Sequence, residues 1–435
     1  MAKPGPTSFH AVVEALDTVP KSNSLYDQER ITQYRTGGYH PTRLGDTFKE
    51  GGYRIVPKLG WGGFATVWLV RDEKLEKWAS LKICEARAET APREVSVLEA
   101  LKHCGASEYI LDVFDVFMHG GPNGSHVCIV TELLGPSVHY VLTDYGHGGD
   151  KLDREIIIRV ATQILQGIAR FTRLDMLMVV SKLKSRNQQN NVNAVLGRVD
   201  VSCANVCFTA SNLANPSEDA LLDVIGTPAS AIVVRKDGST LESNLPSEVV
   251  RSASWKEWAD ELEEDIRLID WGEAFPLGEA PSGLAQPLDL SAPETIFADQ
   301  FDHRIDLWRA GCVIYALVFG IYPFSFILKQ SDLIGQMIEF VGRLPSEWEE
   351  KAQDLMKDSK RAFPSPDQTL PRLDSRFSES AVHPDLLGLQ PIIKGLMRFL
   401  PSDRLTACEA LELLPEYEYS ADSEDDEDSE DGQEL

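Results

Sequence analysis

Residues 58–84 read KLGWGGFATVWLVRDEKLEKWASLKIC. Gly60, Gly62, Gly63 and Ala65 fall between residues 53–56 and 66–70, two β-branched and aromatic runs that read as strands. Small residues in a turn between strands let backbone N–H groups come close to phosphate oxygens. A dinucleotide fold would open a helix here, whereas Thr66-Val67-Trp68-Leu69-Val70 reads as strand. Ala65 replaces the last glycine of G-x-G-x-x-G, and an ordinary glycine hairpin stays open as the alternative. Lys82 lies inside the next apolar strand, Ala79-Ser80-Leu81-Lys82-Ile83-Cys84, so its head group needs a partner. Glu94 is the candidate. It belongs to a helix capped by Thr90, with Pro92 in the first turn, and it shares the apolar stripe of Leu98 and Leu101. A Lys82–Glu94 pair would hold the lysine against the α- and β-phosphates of a nucleotide. Two unrelated surface charges are the bland alternative.

Around this stretch, the chain of 435 residues allows two or three domains or lobes. Hydrophobic residues make up 43% and charged residues 25%, enough for a substantial core. Lys and Arg number 42 against 68 Asp and Glu, a net charge of −26. That balance argues against direct nucleic-acid binding, which needs a basic face. It suits a basic partner, or simply a soluble surface. Seven cysteines, an odd count, point to reduced thiols inside a cell. No apolar run reaches the eighteen or so residues of a membrane span, and MAKPGPTSFH lacks the apolar region of a signal peptide. No membrane association is expected.

Residues 1 to about 48 are polar and rich in turn formers, and read as a mobile lead-in. Strands are expected again at 110–117 and 127–133. The second half turns helical: Ile157, Val160, Ala161, Ile164, Ile168 and Phe171 recur at helical spacing, as do Leu307, Gly311, Ile314, Tyr315 and Val318. The body ends near Leu414, and residues 415–435 form an acidic tail too charged to fold alone. Its Ser423 and Ser429 precede acids, as sites of an acid-directed kinase would, but a plain solvated tail is the favoured reading. A strand-rich part followed by a helix-rich part predicts two lobes.

That second half carries further chemistry. In Asp200-Val-Ser-Cys-Ala-Asn205, Asp200 can accept a hydroxyl proton while the Asn205 amide oxygen coordinates Mg²⁺. Leu268-Ile269-Asp270-Trp271-Gly272 is an apolar strand ending in an acid, and Asp270 would be the main Mg²⁺ ligand. Ala292-Pro293-Glu294, Asp306-Leu-Trp308-Arg-Ala-Gly311 and Arg404 complete the series. Cys203 and Cys207 bracket Asn205, but without a second pair they read as buried thiols and not as a metal site.

Taken in order, the glycine loop, strand Lys, helix Glu, Asp-x₄-Asn, Asp-x-Gly, Ala-Pro-Glu, Asp-x-Trp-x₂-Gly and late Arg resemble a eukaryotic protein kinase from about residue 37 to 414. The chain is similar above all to the SR-protein kinases and their fungal relatives. Gly38-Tyr39-His40-Pro41-Thr-Arg-Leu44-Gly45-Asp46 looks like that group's N-terminal signature, and Trp61 and Trp68 fit its glycine-loop variant. The resemblance implies an α+β, bilobal fold. Residues 49–135 would form a smaller lobe, with a five-stranded antiparallel sheet and one main helix. Residues 136–414 would form a mainly helical larger lobe. It implies ATP and Mg²⁺ as cofactors, with nucleotide against Gly60, Gly62, Gly63, Ala65, Val67 and Lys82. Adenine would meet the backbone of Glu132 and Leu134, with Thr131 as gatekeeper. Catalytic work falls to Asp200, Lys82 and Glu94, and metal binding to Asn205 and Asp270. Glu294 would pair with Arg404, and Asp306 would brace the catalytic loop. The implied substrate is serine in basic, Arg/Ser-rich proteins of the splicing-factor kind. The implied protein is a monomer of cytoplasm and nucleus.

Three departures qualify the resemblance. Ser202 stands where such kinases carry a Lys that steadies the γ-phosphate. Arg198 and Val199 replace the usual pair before the catalytic Asp, which weakens the pocket for a phosphorylated activation loop. From Phe171 to Asp200 the chain runs 29 residues, with the polar tract 187–191 where the family has a buried strand. The excess, residues 179–198, reads as a gene-model artefact such as translated intron, with a genuine surface loop as the alternative. A second insertion, 212–264, reads as a spacer of partly ordered loops, with a short helix around 254–262 and aromatic residues on the larger lobe. Ser202 and the first insertion keep a pseudokinase scaffold, binding nucleotide or a basic peptide, as the competing function. A small-molecule kinase is the weaker third, since it would lack the Ala-Pro-Glu segment.

Overall fold

Short β-branched runs become strands and long 3.6-period runs become helices in a computed structural model of the chain. It describes residues 14–88, 91–103, 108–148, 150–184, 200–213, 215–258, 261–274, 284, 286–357, 372–380 and 382–414. In chain order the strands are β1 (Leu16–Val19), β2 (Thr47–Phe48), β3 (Tyr53–Trp61), β4 (Ala65–Asp72), β5 (Lys77–Cys84), β6 (Val113–Gly121), β7 (Gly124–Thr131), β8 (Val206–Phe208), β9 (Ser230–Arg235), β10 (Glu248–Val250) and β11 (Ile266–Leu268).

The smaller lobe is an antiparallel sheet in the order β2-β3-β4-β5-β7-β6. It has six strands, not the expected five, because the two-residue β2 adds an edge beside β3. Alternation along β4 sets its two faces. Trp68 and Val70 pack with Phe48, Ile55, Leu81 and Val130 on one side, while Leu69 joins Val56, Trp78, Val97 and Leu98 on the other. Val97 and Leu98 come from the helix Ala91–His103, which packs on β6 and β7 and keeps Glu94 buried.

The larger lobe is built on two helices, Arg154–Lys184 and Ile305–Phe319. Ile157, Val160, Ala161, Ile164, Ile168 and Phe171 are all buried, as their spacing predicts. In the second helix every residue from Ile305 to Val318 is buried, so it is enclosed on all sides and lies at the centre of the lobe. It ends at Gly320, whose φ of 73° lets its N–H reach the Ala316 carbonyl at 2.8 Å. Among the described residues no helix is long and apolar enough to cross a membrane.

Two stretches differ from expectation. The lead-in is not loose where it is described. β1 pairs with β9, and β9 with β10, making a second sheet from the N-terminal segment and the spacer. Leu16, Leu25, Ile31, Tyr34 and Tyr39 are buried there against Ala231, Val233 and Val249. The spacer also lacks the expected helix over 254–262 in its described part. Trp255 has φ of 50°, which breaks a helix, and Trp255 and Trp258 serve as separate anchors in the main core. The spacer's helix lies instead at Glu218–Ile225, capped by Ser217, whose side chain accepts from the Ala220 N–H at 3.2 Å. The helix Arg154–Lys184 runs into the first insertion, and residues 185–199, with Arg198 and Val199, lie outside the described residues. So do residues 1–13, Thr90 and the tail from 415, with Ser423 and Ser429.

Candidate active site

Between the lobes lies a cleft of about 600 Å³. Its roof is the turn between β3 and β4. A Cβ added at Gly60, Gly62 or Gly63 would meet nothing within 4 Å, so the space beside these residues is open to a ligand. Gly62 N–H bonds the Ala65 carbonyl at 2.9 Å, which closes the turn. The Tyr39 hydroxyl, from the N-terminal segment, donates to the Gly62 carbonyl.

Lys82 sits in β5, in register with Val67 of β4 and Ile129 of β7. Its Nζ lies 2.7 and 2.8 Å from the two Glu94 oxygens and 3.4 Å from Asp270 Oδ1. Burial disfavours the ammonium, but the Glu94 and Asp270 carboxylates outweigh it and hold the Lys82 pKa above its ordinary value. Lys82 therefore stays charged.

Asn205 and Asp270 meet through strand register. Asn205 leads into β8 and Asp270 follows β11, and these strands pair antiparallel with Val206 opposite Leu268. Ile269 N–H donates to the Asn205 carbonyl at 2.9 Å, which fixes both residues at one end of the ribbon. Asp270 adopts φ of 65°, a left-handed turn that ends the strand and leaves its side chain 47% exposed beside the cleft. Asn205 Nδ2 donates to the Asp200 carbonyl at 2.9 Å, so its amide oxygen is the end left for another ligand. One carboxylate and one amide oxygen fit Mg²⁺, which takes few protein ligands and completes its shell with phosphate and water oxygens. Among the described residues no group of three or more His, Cys, Asp or Glu is placed to hold a metal. Burial pushes the Cys203 and Cys207 thiols up to about 12, as for inert core cysteines.

At the back of the cleft, Thr131, Glu132 and Leu134 form the expected connector between lobes. Glu132 N–H donates to the Asp112 carbonyl at 3.0 Å, and its carboxylate takes the Asp112 N–H at 2.8 Å. Burial raises the Glu132 pKa, opposed by the Asp112 N–H and by Arg267.

The cleft thus gathers Gly60, Gly62, Gly63, Ala65, Val67, Lys82, Glu94, Glu132, Leu134, Asn205 and Asp270 on one lining. Asp200 is not on that lining. It sits beside Asn205 with its carboxylate turned onto the guanidinium of Arg309, which is fully buried in the helix Ile305–Phe319. Farther out, Arg404 grips Glu294 through two bonds of 2.7 and 2.5 Å, the pair that the resemblance implies. Asp306 is buried, and of the catalytic loop it would brace, Arg198 and Val199 lie outside the described residues.

Sequence reasoning missed four contributors. Ser252, Ala253 and Trp255 of the spacer line the cleft, because the Ala253 N–H bonds the Lys58 carbonyl at 2.8 Å and lays the spacer along β3. No local pattern announces that. Arg309 did leave a signal: an arginine within the apolar run Leu307-Trp308-Arg309-Ala310-Gly311-Cys312 requires an anion.

No family model matches the chain. Curated proteins do. A serine/threonine-protein kinase SRPK of Physarum polycephalum is 26% identical, over 74% of this chain and 75% of its own length. Protein kinase dsk1 of Schizosaccharomyces pombe is 26% identical over 74% of this chain and 71% of its own. A serine/threonine protein kinase of Aspergillus fumigatus is 25% identical over 88% of this chain and 89% of its own.

Proposed function

We propose that the chain is a serine/threonine protein kinase of the SR-protein-kinase type, like the relatives it is similar to, and that it transfers the γ-phosphoryl group of ATP to serine in basic, Arg/Ser-rich proteins. The observation that carries the reading is the ammonium of Lys82, held by Glu94 and facing Asp270 within one cleft. Three charged groups from strand, helix and turn meet beside an open glycine roof, the arrangement a triphosphate needs.

Each side chain then has a part. Lys82 binds the α- and β-phosphates, and Glu94 keeps it from collapsing onto Asp270. Asn205 and Asp270 would hold Mg²⁺, which when bound offsets the charge of the phosphate oxygens. Asp200 orients the serine hydroxyl and accepts its proton. Glu132 and Leu134 present backbone groups to adenine. A net charge of −26 agrees with a cationic substrate. Action as a monomer of cytoplasm and nucleus belongs to the same proposal.

A second reading, a scaffold with little transfer, is favoured by Ser202 and by the place of Asp200 off the cleft lining. Radiolabelled transfer to an Arg/Ser peptide separates the two, with Asp200→Asn as the control. Transfer lost in the variant supports the enzyme. Equal signals from both proteins, or none from either, support the scaffold.

A further inference from the structure

We propose that Arg309 is a positioning residue for catalysis, a buried cation that aims the Asp200 carboxylate from beneath the cleft. The inference rests on the phosphotransfer reading of Asp200.

Arg309 is 0% exposed, on the central helix of the larger lobe. Neighbouring Trp308, Ala310 and Cys312 are equally buried, so its backbone is fixed. A guanidinium in such a place is costly unless its N–H groups find acceptors. One arm, Nη1, meets Asp200 Oδ1. The other, Nη2, donates to Gln286 Oε1 at 2.7 Å. Gln286 Nε2 donates in turn to Thr295 Oγ1 at 3.2 Å, and Thr295 Oγ1 donates to the Ala292 carbonyl at 2.6 Å. A single planar fork therefore joins the loop of Asp200, the segment leading to Ala292-Pro293-Glu294, and the helix beneath them.

The chemistry fits positioning and not substrate contact. Having no exposed surface, Arg309 cannot touch a phosphate or peptide. Asp200 is only 14% exposed, and the cation its carboxylate meets is the Arg309 guanidinium. Ser202, two residues on, supplies none. Asn205 fixes the same loop from the metal side, through the Asp200 carbonyl at 2.9 Å. Asp200 is thus held from two directions, one facing the cleft and one facing the core. Arginine suits this better than lysine, because its fork fixes two acceptors in one plane and remains charged at every working pH. Buried ion pairs add little to net stability, so geometry is the more economical account of this one.

The test compares wild type, Arg309→Met, Arg309→Lys, Asp200→Asn and the double variant Arg309→Met/Asp200→Asn, all as full chains. Arg309→Met should lower kcat by about thirtyfold or more, in line with the cost of a misplaced catalytic group. KM for the peptide and the affinity for mant-ADP should stay within about threefold. Arg309→Lys, which keeps the charge, should recover about fivefold or more of the loss. On the Asp200→Asn background, Arg309→Met should cost less than about threefold further. Urea unfolding of the same four-protein cycle reads the contact without catalysis, and should show coupling of about fivefold or more in the folding constant. A kcat within threefold of wild type in Arg309→Met overturns the proposal, as does an equal loss on both backgrounds. Should Arg309→Met fail to fold, Arg309→Lys decides: parallel loss of kcat and mant-ADP affinity overturns positioning. An active wild type with no coupling in urea sinks this role alone. A wild type that transfers nothing while the coupling persists sinks the phosphotransfer reading, and this role with it.

Discussion

Lys82 Nζ lies 3.4 Å from Asp270 Oδ1, although 188 residues separate them along the chain. One belongs to the sheet of the smaller lobe, the other to the end of a ribbon on the larger. Their approach defines the cleft, and the bonds Lys82 donates to Glu94 keep the lysine in place. Lys82→Met removes the cation and leaves two carboxylates facing each other. Steady-state kinetics should show kcat/KM lower by about a hundredfold or more, with the circular dichroism spectrum unchanged. A variant that retains more than a tenth of wild-type kcat/KM would show that Lys82 does not face the phosphates.

Asp270 supplies the only carboxylate of the proposed Mg²⁺ pair. Asp270→Asn keeps the shape and removes the charge. Titrating mant-ADP with and without Mg²⁺ should show affinity rising with Mg²⁺ in wild type and no longer rising in the variant. The same Mg²⁺ effect in both proteins would move the metal elsewhere.

Much of this cleft was legible because phosphate chemistry demands particular residue types at fixed places. Gly60, Gly62 and Gly63 announce close backbone approach, and Lys82 announces itself as a cation in an apolar strand. Five strands of the sheet followed from β-branched and aromatic runs between turns, while the two-residue β2 at its edge carried no such signal. What escaped was pairing at long range. β1 meets β9 more than two hundred residues later, and neither strand carries a mark of its partner. The Trp255 and Trp258 spacing imitates a helix turn, while the backbone at Trp255 takes a left-handed form that side-chain spacing cannot reveal. Arg309 was passed over as an unspecified position in a motif, since its meaning depends on a loop that reaches it only in three dimensions.

The N-terminal segment bears directly on the nucleotide roof. Tyr39 donates its hydroxyl to the Gly62 carbonyl, while Glu29 of the same segment pairs with the buried Lys58 of β3. Tyr39→Phe deletes one neutral hydrogen bond to the turn and little else. A bond of that kind contributes about 0.5–1.5 kcal/mol, so KM for ATP should rise about two- to tenfold with kcat nearly constant. Unchanged KM would show that the segment leaves the turn alone.

Glu294 and Arg404 are both buried, at 2% and 0% side-chain exposure. Arg404 also donates to the carbonyls of Arg304 at 2.8 Å, Arg398 at 2.9 Å and Phe399 at 3.2 Å. Glu294→Gln leaves these neutral acceptors and strands the guanidinium. Urea unfolding should show a loss of about 3–5 kcal/mol, the usual result of orphaning one member of a buried pair. Replacing both residues by apolar ones of similar volume should cost less than the sum of the single changes. Strict additivity would mean the two side chains act independently.

His40 packs its ring 4.7 Å from that of His119 and 5.1 Å from that of His126, with His126 Nδ1 2.9 Å from the Cys84 carbonyl. Burial pushes His40 down to about 3, and the neighbouring histidines push the same way. Burial likewise lowers the pKa of His119 and His126. The folded protein therefore keeps His40 neutral, while the unfolded chain protonates it near its ordinary value of about 6.5. Below that pH the unfolded state binds more protons, so stability falls as pH drops from about 6.5 towards 3, by up to about 1.4 kcal/mol per pH unit for His40 alone. Above about 6.5 this group has no effect. Urea unfolding at pH 7.5, 6.5 and 5.5 should show the decline in wild type and a shallower one in His40→Leu, where that proton site is gone. The difference isolates His40, because carboxylates elsewhere titrate alike in both proteins. Two curves that run parallel from pH 7.5 to 5.5 would mean that the ring is protonated in the folded state and that the cluster opens to water.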